Sequence, residues 1–262
     1  MVYNLHHKSW ATISDELKTS DTVIVPLGAM EAHGAHKPVG CCYLLAESSS
    51  RDVGERTGVS VTPVIPFGTS EPYQNFPGTV SISMATLSQF VYEAAVSLIR
   101  SGFRKIIFFS AHGDNNLPVL KELSFLLREE FGVLCTVIHV WGMVFNLVPP
   151  DMWGSDKKLG HGGEPTTSVM LHLHPELVDM SKAETPKIRS PLEGFETTAS
   201  TAHTFKGVSQ SIPLFAEEVE SNGFMGDPTG ASAEKGKLLY EKTINYLVDF
   251  VEAFRKLDAD LD

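Results

Sequence analysis

Val23-Ile-Val-Pro-Leu-Gly-Ala-Met-Glu-Ala-His-Gly-Ala-His-Lys-Pro38 begins as a buried strand and ends as a cluster of metal-competent side chains. The first part, 21–27, is a short β-branched apolar run closed by Pro26 and Gly28, the composition of a strand covered on both faces. Glu31, His33 and His36 follow directly. A carboxylate and an imidazole two residues apart in extended chain point to the same side. Gly34 lets the backbone turn so that a second imidazole can approach, which makes the stretch half of a candidate metal site.

Working outward, apolar patterning repeats the unit of strand, ligand loop and helix. Residues 43–56 read as a helix stopped at Thr57-Gly58, and 59–65 as a second strand. The loop 66–79 is rich in turn formers and offers Tyr73, Phe76 and Thr79 to line a substrate pocket, though it could equally be a surface excursion and packing is the commoner role for Tyr73 and Phe76. Ser83 caps a strongly amphipathic helix ended by Gly102, and 105–110 is an apolar central strand. That strand delivers Ala111-His112-Gly113-Asp114-Asn115-Asn116 at its carboxyl end. A helix over 117–130 and a strand over 133–140 continue the alternation, which argues for a parallel sheet with helices on both faces. Sites in such sheets gather beyond the carboxyl ends of the strands, where both the Glu31/His33 group and His112 fall.

The remaining expectations are an amphipathic helix over 5–18 with Trp10, Ile13 and Leu17 at helical spacing, lying across the outside of the sheet, and a connecting loop over 144–159. A helix is expected from Pro165 to about His174, irregular turn-rich chain over 181–220, and a C-terminal helix after 227–236. The 262 residues show no compositional break, so one domain over 1–262 is expected. A formal charge of -11 argues against nucleic acid or an anionic membrane as partner, since either needs a basic face. Three cysteines, two of them adjacent, make no disulfide framework, and no signal peptide or membrane-spanning run is legible. A reducing, cytoplasmic setting is the expectation.

Glu31/His33/His36, His112/Asp114 and His161/Glu164 together place imidazoles and carboxylates in glycine-flanked loops. That donor set suits zinc or manganese with a position left for water, and so a metal hydrolase. Asp114 could equally cap the helix that follows it. Cys41 and Cys42 could be small core residues.

At these residues the chain resembles the creatininase, or creatinine amidohydrolase, family. The resemblance lies in Pro26-Leu-Gly-Ala-Met-Glu-Ala-His-Gly-Ala-His-Lys-Pro38, Phe76-Pro-Gly-Thr-Val-Ser81, Ala111-His-Gly-Asp-Asn115, His161-Gly-Gly-Glu-Pro-Thr-Thr-Ser168 and Gly226-Asp-Pro-Thr-Gly-Ala-Ser-Ala-Glu-Lys-Gly236, in the family's order. It implies a three-layer α/β/α fold, commonly a homohexamer, with a two-metal site at the sheet's carboxyl edge and hydrolysis of small cyclic amides, formamides or related bonds. Some relatives open cyclic ketones. The family's metal ligands carry over onto Glu31, His33 and His112, Glu164 matches a motif glutamate, and His161 matches a proton-moving histidine.

The departures from the family are as informative. The family's metal-bridging aspartate falls on Cys42, and Asp114 stands where creatininase carries a glutamate ligand. The tryptophans that enclose creatinine have no clear counterpart in Trp141 or Trp153. One firmly held zinc-like ion, a weak or absent second and a substrate other than creatinine are therefore expected. The alternative is a non-catalytic small-molecule binder with a degraded metal site.

Overall fold

The computed structural model describes residues 3–113, 116–147, 152 and 159–260. Its centre is a parallel sheet of β1 (Thr22–Leu27), β2 (Ser60–Val61), β3 (Lys105–Ser110) and β4 (Leu134–His139), in the order β2-β1-β3-β4. Successive strand residues point to opposite faces, and both faces are covered. Val23, Val25, Ile106 and Phe108 meet Leu87 and Val91 of α3 (Met84–Ser101) and Leu120, Leu123 and Leu127 of α4 (Asn116–Phe131). On the other face Ile24, Ile107, Phe109 and Ile138 pack on α2 (Cys41–Thr57), α5 (Val140–Asn146), α6 (Glu164–Leu173) and α8 (Ala233–Phe254). This is the expected three-layer α/β/α arrangement. Each large side chain buried in these layers contributes about 1.5–3 kcal/mol relative to exposure.

The register decides where the site lies. Leu27 pairs with Ser110 and Ser110 with His139, so β1, β3 and β4 end abreast. Whatever follows each strand is delivered to one edge. Gly58 and Gly102 close α2 and α3 in the left-handed conformation that glycine tolerates, and Ser83 caps α3 by accepting from the Thr86 amide at 3.1 Å.

Several expectations are corrected. The strand expected over 59–65 survives as the two-residue β2 plus a bridge from Leu27 to Ile65; the Thr62 amide still donates to Ile24 O at 3.0 Å, but Pro26 of β1 has no N–H to continue the ladder. The expected helix over 5–18 is a 3-10 turn, Leu5–His7, followed by α1 (Trp10–Glu16) capped by Ser9. Trp10 points to solvent, while Ile13 and Leu17 pack on the core. The expected loop over 144–159 begins as α5, whose Val140, Trp141 and Val144 complete the core. The turn-rich 181–220 holds a three-stranded antiparallel sheet of β5 (Glu196–Ala199), β6 (Ala202–Phe205) and β7 (Val208–Ser211), and a short α7 (Ala216–Val219). Its strands are short and β7 is exposed throughout, so no apolar alternation announces them. Among the described residues, no helix is long and apolar enough to cross a membrane.

Candidate metal centre

Just past β1 the chain runs extended through Glu31 and His33, and α2 begins at Cys41 so that Cys42 lies in its first turn, facing back under the same edge. His112 follows β3, and His161 comes from the glycine-rich turn before α6. Glu31, His33, Cys42 and His112 are all at least nine-tenths buried.

Each of three imidazoles has one nitrogen tied to a backbone carbonyl. His112 donates from Nε2 to Thr69 O at 2.7 Å, His161 from Nε2 to Ala32 O at 2.7 Å, and His33 from Nδ1 to Glu31 O at 3.0 Å. The other nitrogen of each therefore carries the lone pair, and all three converge on one atom. Glu31 Oε1 lies 3.4 Å from His112 Nδ1, 3.6 Å from His33 Nε2 and 3.8 Å from His161 Nδ1. Fixing a tautomer from behind is how proteins prepare histidines for metal. Cys42 Sγ adds a third kind of donor, 3.7 Å from His33 Nε2 and 3.8 Å from His112 Nδ1. Two sets of three ligand atoms result, each within 4.8 Å and both including Glu31: Glu31/Cys42/His112 and Glu31/His33/His161. This donor set fits a zinc-like cation.

Electrostatics say the same. Burial works to raise the Glu31 pKa, but the imidazoles of His112, His161 and His33 outweigh it and hold the carboxyl well below the usual range. Burial pulls the His112 pKa down, yet Glu31 and Cys42 push it well above that of a free imidazole. His33, buried and beside His161, is driven well below it, and burial pushes the Cys42 thiol up.

The supports are traceable. Asn116 Oδ1 accepts from Thr69 N at 3.0 Å and Thr69 Oγ1 at 2.9 Å, fixing the carbonyl that holds His112. His161 is stacked between His33 and Tyr73, with ring centroids 4.2 and 4.1 Å away. A cavity of about 410 Å³ opens on the ligands, walled by Trp141, Phe145, Leu159, His139 and Thr166.

Other site expectations move. Tyr73, Phe76 and Thr79 do not line the cavity; they sit behind it. Tyr73 backs His161, Phe76 packs on Tyr73 and Ala32, and Thr79 Oγ1 accepts from Ala32 N at 3.1 Å. Glu164 is completely buried but is not brought to either ligand set, because Lys235 of α8 binds its Oε1. His36 is turned away by Gly34, at φ 89°, and meets Thr167 Oγ1 at 3.2 Å. Burial and then Lys37 lower its pKa to about 4. Asp114 and Trp153 lie outside the described residues. Reading the sequence missed His139, Trp141 and Phe145. The strand-end rule applied to β4 as it was to β1 and β3 would have found the first two.

The family profile described as creatinine amidohydrolase matches residues 6–251. The chain belongs to the creatininase family. It is 27% identical to the creatinine amidohydrolase of Pseudomonas putida, over 93% of this chain and 94% of that protein. It is 28% identical to a mycofactocin precursor peptide peptidase of Mycolicibacterium smegmatis, over 89% and 85%. With the 3-dehydro-scyllo-inosose hydrolase of Thermotoga maritima it shares 26% identity over 91% and 79%. A solved creatininase superposes with a TM-score of 0.78 at 25% identity, covering 98% of this chain and 99% of that one. Solved creatininases of this fold include a manganese form and a Zn–Zn form. These relatives are hydrolases of quite different molecules, so family membership leaves the substrate to the cavity.

Proposed function

We propose that this creatininase-family protein is a metal-dependent amidohydrolase that opens a small cyclic amide or a related C–N bond, with the C–C bond of a cyclic ketone within the same chemistry. The observation that carries the reading is the convergence of three backbone-anchored imidazoles and a thiol around Glu31 Oε1. Glu31, Cys42 and His112 would hold one ion firmly. A thiolate there favours zinc over manganese. Glu31, His33 and His161 would hold a second ion weakly, if at all, since His161 is the more exposed donor. When bound, the ion supplies a Lewis acid for the scissile carbonyl and lowers the pKa of water toward neutrality.

The protein's own residues supply the rest. His161, with Nε2 committed to Ala32 O, has Nδ1 to take a proton and return it to the departing nitrogen whenever no second ion occupies that atom. Tyr73 and His33 hold its ring plane. Trp141, Phe145 and Leu159 keep water from the reacting bond. Glu164, paired with Lys235, anchors the start of α6 and so the turn that carries His161. Assembly as a closed hexamer in the cytoplasm is part of this reading, resting on the family resemblance.

The test is elemental analysis of purified protein and of Cys42→Asp, with turnover assayed on lactams, cyclic ureas, formamides and cyclic ketones under zinc and manganese. About one equivalent of zinc with turnover of one class supports the reading. Binding of these compounds without turnover of any would make the protein a non-catalytic binder. Light scattering that returns a monomer would remove the hexamer.

A further inference from the structure

A second hollow opens on the far side of His139. It is a trough of about 550 Å³ running the length of β4, between that strand and α4. β4 is the last strand of its sheet, so among the described residues its outer edge has no partner strand. Its sequence, Leu-Cys-Thr-Val-Ile-His, carries no lysine, carboxylate or proline, the residues that ordinarily keep other strands away from such an edge. The opposite wall is a helical stripe including Lys121, Phe125 and Arg128, and Phe125 is 73% exposed.

Two further observations select an occupant. The first is adjacency. His139 lines both the trough and the metal-centre cavity, and its ring is confined by two glycines. A Cβ on Gly113 would lie 2.9 Å from its Cε1, and one on Gly142 2.8 Å from its Nδ1. The second is charge. The chain carries a formal -11, yet the charged residues among the described ones lining the trough are Lys121 and Arg128. Arg128 is held in place by donating to the carbonyls of Gly132 and Ala259.

We propose that the trough docks an extended, acidic peptide segment, which adds as a strand to the edge of β4 and passes one end by His139 into the cavity. The entry of that end rests on the hydrolase reading; the docking does not. Six strand residues at a rise of roughly 3.3 Å give about 20 Å of edge, enough for five or six residues of peptide. A second copy of this chain fits less well. α4 runs back along β4, so two-fold pairing of the β4 edges would set Lys121 of one copy toward Arg128 of the other.

The experiment uses fluorescein-labelled eight-residue peptides of alternating Glu and Val, or of alternating Lys and Val. They are titrated by anisotropy into the full chain carrying His161→Ala, so that turnover plays no part. The Glu–Val peptide is expected to bind about tenfold or more tighter than the Lys–Val peptide, and to weaken as salt is raised. K121E and F125E, both on the surface of α4, should each weaken it by about fivefold to tenfold. Quenching of tryptophan fluorescence that disappears in Trp141→Phe would show the peptide end in the cavity. Equal binding of both peptides, or binding unaffected by both variants, overturns the proposal. So does absence of binding in a protein whose sedimented mass falls in F125E, which would make the trough a contact between copies. None of these readouts depends on turnover, so failure here is distinct from failure of the hydrolase reading.

Discussion

The two ligand sets share Glu31 but are built differently. Glu31/Cys42/His112 is drawn from a strand end and the first turn of a helix, and each member is nearly inaccessible. Its outer support is a chain of hydrogen bonds from Asn116 through Thr69 to His112. Glu31/His33/His161 is drawn from loops and includes a partly open imidazole; His161 is tied to Ala32 O as His112 is to Thr69 O, but its further support is ring stacking on Tyr73 and His33. Hydrogen-bonded support fixes direction as well as distance, whereas stacking fixes only a plane. The deep set is thus suited to keeping an ion, and the outer set to holding a group that must change its partner during a reaction.

The strongest way to break this contrast is His112→Ala. Metal content measured by elemental analysis should fall to near zero and turnover with it, because the deep set loses its only imidazole. His161→Ala should leave the metal nearly intact and lower turnover by about two to four orders of magnitude, as for loss of an acid–base group. If metal and activity leave together, the outer set is a true binding site and the division of labour is wrong. Cys42→Asp should shift the preference for zinc over manganese by about tenfold toward manganese and strengthen the second ion, read by competitive metal titration. Two tightly held ions in the parent protein, unaffected by Cys42→Ala, would show that another residue bridges. Asn116→Ala should weaken the deep ion by about tenfold, since it acts only through the carbonyl that orients His112. An equal loss from Tyr73→Leu would erase the distinction between the two kinds of support.

The smallest effect is expected in the chelated protein as pH is varied. The raised pKa of His112 gives stability that is fully present below the ordinary imidazole value of 6.5 and is lost as pH rises through its folded value. The depressed pKa of Glu31 gives stability present above the ordinary carboxyl value of 4.5 and lost as pH falls through its own folded value. Melting temperature should therefore be highest between these limits and decline on the alkaline side. His112→Ala should remove the alkaline decline.

Much of this was legible in the sequence because strands covered on both faces must be apolar throughout. β1 and β3 therefore stood out, and with them the loops bearing Glu31, His33 and His112. Cys42 was legible only through the family's spacing, since a thiol in a helix reads equally well as core. β5, β6 and β7 were illegible because a small exposed sheet buries too little to impose alternation. Glu164 could not be placed because a carboxylate in a glycine-rich turn has the same local signature whether it faces a cation or pairs, as its Oε1 does here, with Lys235, 71 residues further on. For Tyr73 and Phe76 packing is the favoured reading beside substrate contact, and both pack, with Thr79, behind the cavity wall: residue type suggests contact, but only packing tells the front of a wall from its back.

Gly236 sits so close to α6 that a Cβ there would lie 1.8 Å from Ser168 O, and its neighbour Lys235 holds Glu164 at the start of the same helix. The turn carrying His161 is thus braced by the last long helix of the chain. During synthesis β1, β3 and the deep ligands emerge from the ribosome well before α8 does. A nascent chain would have Glu31, Cys42 and His112 outside the ribosome while the turn of His161 was still without its brace.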